Sequence, residues 1–260
     1  MRLLKIAFYY IPRLIIEYIF WIARYAKHPE KYLLNKRYKK ARDLIISGTK
    51  SLNMDILIEG KENIPNGVCC YYSNHLGACD PLAFFKALET PVSFVGKVEV
   101  KKMPIVGKLF SATEGLFLDR DDLKQQLKVM LKVEKNLREG VTSYVIYPEG
   151  TRNKDQMALM REFHHGTFRA AMKAKVPLVP VVEFGSFRVL DFKHNHKSYP
   201  TYIKFLPAIY PEEYEGKSTE EVAKMIQSII QKEIAFNARP LDHKRMLALG
   251  YKHYRFNKIY

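Results

Sequence analysis

A histidine and an aspartate five residues apart, His75 and Asp80, are the first pair in this 260-residue chain with the chemistry to move a proton. They lie in Asn74-His75-Leu76-Gly77-Ala78-Cys79-Asp80-Pro81, between the apolar run Val68 to Ser73 and an apolar stretch that starts at Leu82. The run reads as a strand and the residues after it as a strand-to-helix turn. In open α/β sheets such turns line the ligand crevice. An aspartate within reach of the ring fixes its tautomer, so that the opposite nitrogen accepts a proton from a hydroxyl. The plain alternative is that Asp80 only caps a helix whose first turn holds Pro81. With 8 histidines and 9 aspartates in the chain, this spacing arises by chance about 0.3 times, so the pair needs companions.

Companions occur at three further apolar runs. Val92 to Val95 is followed by Gly96 and Lys97. Gly115 to Leu118 is followed by Asp119, Arg120 and Asp121, and Ser143 to Tyr147 by Pro148-Glu149-Gly150-Thr151-Arg152-Asn153. Arginine forks fit a phosphate monoester bidentately and lysine adds a point charge. Taken singly, Asp119 to Asp122 could be a turn and cap, and Arg152 a partner of Glu149 in a solvated loop. Cations at several strand ends at once point to one anionic substrate. Cys79 could serve as a nucleophile beside His75 in a thiol hydrolase, although a cysteine in this apolar setting reads more simply as core. No metal is expected, because His194 and His196 fall in a loop and neither HExxH nor Cys/His ligand spacing occurs.

The elements that must position these residues follow from periodicity. Asp55 to Ile58, Val68 to Ser73, Val92 to Val95, Gly115 to Leu118, Ser143 to Tyr147, Val176 to Phe184 and Tyr202 to Leu206 read as strands. Between them, Leu123 to Leu137 reads as a helix, capped by Asp121 or Asp122 and followed by Gly140. Its expected inner face is Leu123, Leu127, Met130, Leu131 and Leu137. Thr219 to Ile234 reads as another, opened by the capping box Ser218 and Glu221. The fold class is therefore α/β, a mixed or mostly parallel sheet flanked by helices.

Composition constrains the partners. The chain has 43 Lys and Arg against 27 Asp and Glu, a formal charge of +16, with 47% apolar residues, which excludes a disordered polyelectrolyte. A surplus of this size implies anionic partners: nucleic acid, a lipid headgroup surface or a phosphorylated substrate. Residues 1 to 60 carry twelve basic and five acidic residues and residues 239 to 260 six and one, so three-quarters of the excess lies at the ends. The basic residues do not interleave with aromatics on a sheet face, so nucleic acid is not the expected partner. Three clustered cysteines, Cys69, Cys70 and Cys79, form no secreted-type framework and point to a reducing cytoplasmic face.

At the N-terminus, Pro12, Arg13 and Glu17 interrupt the apolar stretch that follows Arg2 and Lys5. This is a poor signal peptide, and no window reaches the roughly 18 uncharged residues of a spanning helix. The pattern reads as an amphipathic helix pair broken near Pro12, trailed by nine basic residues between 24 and 50. That combination fits a monotopic anchor on an anionic membrane surface, the alternative being a helix packed on its own domain. Residues 1–54 are thus expected to be a helical membrane-interface segment and residues 55–260 the α/β domain. Residues 239 to 260, basic and aromatic, fit either a surface helix or a further membrane contact.

Four blocks in order resemble the glycerolipid acyltransferase family, which includes the 1-acylglycerol-3-phosphate acyltransferases. Asn74-His75-Leu76-Gly77-Ala78-Cys79-Asp80 is similar to its His-four-residues-Asp motif, and Gly115-Leu116-Phe117-Leu118-Asp119-Arg120 to its second block. Tyr147-Pro148-Glu149-Gly150-Thr151-Arg152 matches the third, and Val176-Pro177-Leu178-Val179-Pro180-Val181 the fourth, all within residues 55 to 210. The resemblance implies that His75 is the general base and Asp80 its orienting partner. It implies that Arg120, Glu149, Gly150, Thr151 and Arg152 bind the phosphorylated acceptor, with Lys97 serving its phosphate. It further implies acyl transfer to a lysophospholipid such as lysophosphatidate, or in a related enzyme to glycerol 3-phosphate. The donor would be acyl-CoA or acyl carrier protein, with no cofactor, and two N-terminal helices would be seated in one leaflet. Two departures stand out: Gly77 where many members carry Ser, and Phe163-His164-His165-Gly166 where Lys or Arg commonly precedes the glycine.

Overall fold

Strands covered on both faces are largely apolar and buried along their whole length, and three segments of this chain fit: Cys70–Ser73, Ser143–Ile146 and Leu178–Phe184 are buried at every residue. In the computed structural model, which describes residues 6–153, 160–190 and 197–251, these are the central strands β2, β5 and β6 of a seven-stranded sheet. The others are β1 (Met54–Glu59), β3 (Val92–Lys97), β4 (Leu116–Leu118) and β7 (Tyr199–Phe205). The order is β1-β7-β6-β2-β5-β3-β4, parallel throughout except for the antiparallel pair β6 and β7. All seven expected strands are present and the sheet is mixed, mostly parallel. β7 starts at Tyr199, not Tyr202, because Tyr199 to Thr201 pair with β1.

One consequence of the order governs the site. Strands β6, β2, β5, β3 and β4 are consecutive neighbours running the same way, so the residues just after each emerge at one edge of the sheet. The expected His and Arg residues follow these strands, and Lys97 ends β3.

Helices cover both faces. The N-terminal segment is a single helix, α1 (Ile6–Lys27), not a pair broken near Pro12. A π-helical turn, Ile6–Tyr10, precedes Pro12, which stands in the first turn of the α-helical stretch Ile11–Glu17. There its missing N–H and its ring are tolerated. The two apolar runs are thereby joined, and by length and composition α1 is long and apolar enough to cross a membrane, against the expectation from uncharged windows. Arg13 and Glu17, which interrupt it, form an i,i+4 pair at 3.6 Å, and Glu17 also accepts from the Trp21 indole. After a 3₁₀ turn at Pro29–Lys31 comes α2 (Leu34–Ser51).

Tyr10, Leu14, Tyr18, Trp21, Ile22 and Tyr25 of α1 join the core that contains Tyr38, Leu44, Tyr71, Phe84 and Phe205. On the other side of α1, Phe8, Tyr9, Ile15, Ile16, Ile19 and Phe20 are exposed, and only 11% of its most apolar stretch is buried. α1 therefore docks on its own domain and presents a second apolar face outward.

On the same side of the sheet lie α3 (Asp80–Ala87) and α4 (Pro104–Ala112); on the other lie α5 (Leu123–Arg138), α6 (Arg169–Ala174) and, after the short α7 (Pro211–Tyr214), α8 (Thr219–Glu233). Asp122 caps α5 by accepting from the Gln125 N–H, and the Ser218–Glu221 capping box opens α8. A π-helical turn, Ile234–Ala238, leads from α8 into α9 (Arg239–Ala248). The inner face of α5 differs from expectation. Val129, Val133, Asn136 and Leu137 are buried, whereas Leu123, Leu127 and Leu131 are 79%, 56% and 52% exposed. Polar ties set this rotation. The Gln125 side chain donates to Phe117 O at 2.6 Å and accepts from Asp119 N at 2.8 Å, and Asn136 donates to the Tyr144 hydroxyl at 2.6 Å. His194, His196, Arg2, Lys5 and residues 252–260 lie outside the described residues.

Candidate active site

His75 lies two residues past the end of β2, and its backbone is held from both sides by the loop after β5. Its N–H donates to Glu149 Oε1 at 2.8 Å, and its carbonyl accepts from Asn153 N–H at 2.8 Å. The imidazole stacks on the Tyr147 ring, with centroids 4.1 Å apart and planes at 20°. Nδ1 lies 2.7 Å from Asp80 Oδ2. Position, plane and edge of the ring are thus set by three different neighbours, and the side chain stays 20% exposed. With Nδ1–H donated to Asp80, Nε2 is the nitrogen left for a substrate hydroxyl.

Asp80 is fully buried and is not a plain cap. It is the first residue of α3, with Cys79 in the capping position, and its carboxylate faces back into the turn. Besides His75 it accepts from Leu76 N–H at 2.8 Å and Gly77 N–H at 3.0 Å on Oδ2, and from the Ser186 hydroxyl on Oδ1. A buried carboxylate needs this many donors to remain charged. A Cβ on Gly77 would come within 2.6 Å of Ser186 Oγ and 2.8 Å of Phe187 N, so no side chain fits there. The segment after β6 fills this space and brings a hydroxyl to the aspartate from that direction.

Glu149 is 2% exposed and turns inward. One oxygen takes the His75 N–H and the other takes Arg161 N–H at 3.1 Å. Burial raises its carboxyl above the usual range, while these two N–H donors oppose the shift. The geometry thus directs this side chain to the backbone of His75, on which the resemblance was silent. Gly150 sits at φ +66°, in the left-handed region, and a Cβ there would meet the His164 ring at 3.0 Å. Both facts require glycine.

The cations are arranged differently. Lys97, Arg120 and Arg152 are exposed, and Thr151 is half-buried. Lys97 pairs with Glu99, whose carboxyl is held low by that hydrogen bond first and less by the charges of Lys97 and Arg120, so these three groups share one corner. Lys97 ends β3, Arg120 follows β4 and Arg152 follows β5, at the same sheet edge as His75. Sequence reasoning missed Tyr147 as a support for the ring, Ser186 as a donor to Asp80, and Asn153 as a donor to His75. A signal existed for Tyr147 and Asn153, which flank the Glu149 to Arg152 segment after β5, but not for Ser186, which follows β6. Cys79 is 3% exposed at the start of α3. Among the described residues no group of three His, Cys, Asp or Glu is placed to hold a metal ion.

Residues 55–183, from β1 through most of β6, match the family model described as Acyltransferase. The chain belongs to the acyltransferase family. The matched span contains the turn of His75 and Asp80 and the loop from Tyr147 to Asn153. Among relatives, the probable 1-acyl-sn-glycerol-3-phosphate acyltransferase of Mycoplasma pneumoniae is 26% identical over 215 residues, 78% of this chain and 79% of that one. The 1-acyl-sn-glycerol-3-phosphate acyltransferase of Escherichia coli is 27% identical over 169 residues, 65% of this chain and 68% of its own. The crystal structure of the 1-acyl-sn-glycerophosphate (LPA) acyltransferase, PlsC, from Thermotoga maritima has the same fold, with a TM-score of 0.68 at 23% identity, covering 90% of this acyltransferase and 97% of that chain.

Proposed function

We propose that the protein transfers a fatty acyl group from an acyl thioester to the free hydroxyl of 1-acylglycerol 3-phosphate, giving phosphatidic acid, with His75 as general base. The observation that carries this reading is the 2.7 Å contact of His75 Nδ1 with the buried Asp80. It leaves Nε2 able to take the hydroxyl proton as the oxygen attacks the thioester carbonyl. The resulting imidazolium is stabilised by Asp80 and returns the proton to the departing thiolate. The chain's own groups suffice for these proton transfers, and no acyl-enzyme is required. Lys97, Arg120 and Arg152, with Gly150 and Thr151 of the same loop, bind the acceptor phosphate. Glu149 serves them indirectly, by fixing His75. The relatives named as 1-acyl-sn-glycerol-3-phosphate acyltransferases support lysophosphatidate as acceptor over glycerol 3-phosphate or another lysophospholipid. The donor is acyl-CoA or acyl carrier protein. A thiol hydrolase has less support, because the Cys79 thiol is buried.

The exposed face of α1 and the basic residues behind it seat the enzyme in one leaflet of an anionic bilayer on its cytoplasmic face. That placement delivers a lipid acceptor that water does not.

The test is product analysis by mass spectrometry with the purified full chain in mixed lipid micelles. Lysophosphatidate, glycerol 3-phosphate and a lysophospholipid with a larger headgroup are each offered with acyl-CoA and with acyl carrier protein. Phosphatidate should dominate, and acylation of glycerol 3-phosphate alone would reject the acceptor. His75→Ala should lower turnover by ~10²- to 10⁴-fold without releasing the protein from vesicles. Near-normal turnover would reject the base.

A further inference from the structure

Below the imidazole lies a titratable group with no part in the scheme above. Glu183, near the end of β6, is fully buried. Its backbone N–H donates to Asn74 Oδ1 at 2.9 Å and its carbonyl accepts from Asn74 Nδ2 at 2.8 Å, which ties β6 to the residue just before His75. Its carboxyl Oε2 accepts from the Tyr147 hydroxyl at 3.1 Å and the Ser73 hydroxyl at 3.2 Å. Oε1 is buried with no hydrogen-bond partner among the described residues. Tyr147 is the residue whose ring backs His75 at 4.1 Å.

An anion here would be served by two neutral hydroxyls and opposed by the Asp80 carboxylate, whereas Asp80 itself collects four donors, two of them backbone N–H groups. Burial, and then the charge of Asp80, push the Glu183 carboxyl well above its ordinary value, the direction that favours the neutral acid.

We propose that Glu183 acts on catalysis through Tyr147: uncharged, it holds the phenol hydroxyl, and with it the ring against which the imidazole of His75 is stacked. Glu183 is a positioning residue, since it touches neither His75 nor the reacting atoms. The inference rests on the reading of His75 as general base. It divides the support of the base between two acids, with Asp80 fixing the ring's edge and carrying the charge and Glu183 fixing its face without charge.

The experiment compares Glu183→Leu, Glu183→Gln and Tyr147→Phe with the wild type, reading kcat, acceptor KM and the pH titration of the His75 ring by NMR in micelles. Tyr147→Phe and Glu183→Leu should each lower kcat about tenfold while acceptor KM changes less than about twofold, because the ring shifts but the phosphate cations do not. Glu183→Gln, which keeps a neutral acceptor for both hydroxyls, should restore kcat to within about threefold of wild type and leave the titration of His75 where it was. A downward shift of that titration in Glu183→Gln would show that the native carboxyl is charged and would overturn the proposal. So would wild-type kcat in Tyr147→Phe, which removes a single hydroxyl and keeps the test decisive if the leucine variant does not fold. An active His75→Ala enzyme would instead sink the general base, and the ring titration would still report on Glu183.

Discussion

The two halves of the site are built on opposite principles. On the side of His75, the groups that hold the ring and its backbone are buried and hydrogen-bonded within the protein: Asp80 and Asn74 are fully buried and Glu149 is 2% exposed. On the side proposed for the acceptor phosphate, Lys97, Arg120 and Arg152 are exposed, and the ion pair of Lys97 with Glu99 has side chains 46% and 51% exposed. The first half is preorganised, so its interactions act at full strength in a low dielectric at the moment of reaction. The second must shed water and order long side chains when the substrate arrives, which limits what each charge contributes. Errors in the buried half should thus appear in kcat, and errors in the exposed half in acceptor saturation.

The strongest challenge to this division is Asp80→Ala. It frees Nδ1, leaves Leu76 N–H and Gly77 N–H without their acceptor and removes the partner of Ser186. We expect kcat to fall by about 10²-fold or more, with acceptor KM little changed, in steady-state assays on micelles. An equal loss through KM alone would show that the two halves are not separable.

The difference also explains what could be read in the sequence. The seven strands were legible because β2, β5 and β6 are apolar at nearly every position, and the dyad was legible because it falls in one short turn. The connections within the buried half were not. Tyr147 meets His75 across 72 residues of sequence, Ser186 meets Asp80 across 106 and Glu183 meets Tyr147 across 36, and no periodicity encodes which neighbour a side chain meets across a sheet. The leucines of α5 mislead for a related reason. Leu123, Leu127 and Leu131 make the more obvious stripe, but Gln125 and Asn136 are tied to strand backbone and to Tyr144, and those bonds turn the helix so that Val129 and Val133 face inward. In α1 the sequence shows the proline and not the π-helical turn that absorbs it.

The buried half also makes a prediction of its own, in stability. Glu183 and Glu149 both have carboxyls raised above the ordinary 4.5, in each case by burial first. Below that value both states hold the protons and the folded state has its full advantage. As pH rises past it, the unfolded chain ionises while the folded chain does not, so stability declines until the folded groups ionise too. The limiting slope is about 1.4 kcal/mol per pH unit for each proton. Urea unfolding in micelles from pH 5 to pH 8 should show stability falling with pH in the wild type and a shallower fall in Glu183→Gln. Parallel curves would mean that Glu183 is ionised in the folded protein.

The exposed half should respond to salt instead. Arg120→Ala and Arg152→Ala each remove an exposed guanidinium from the residues proposed to bind the acceptor phosphate. Each should raise acceptor KM about tenfold at low ionic strength and leave kcat within about twofold, the size expected for one charge-assisted contact at an exposed site. Because these charges lie in solvent, raising the salt from about 0.01 M to 0.5 M shortens the screening length to a few ångströms. The wild type should then lose acceptor affinity while the variants lose little, so that the curves converge at high salt. Reading KM against salt for a short-chain lysophosphatidate, below the concentration at which it forms micelles, keeps membrane attachment out of the measurement. Convergence would place the arginines on the phosphate through space and water. A tenfold gap that survives high salt would mean that the bound acceptor buries them, and the exposed half would then close over its substrate into an environment like that around His75.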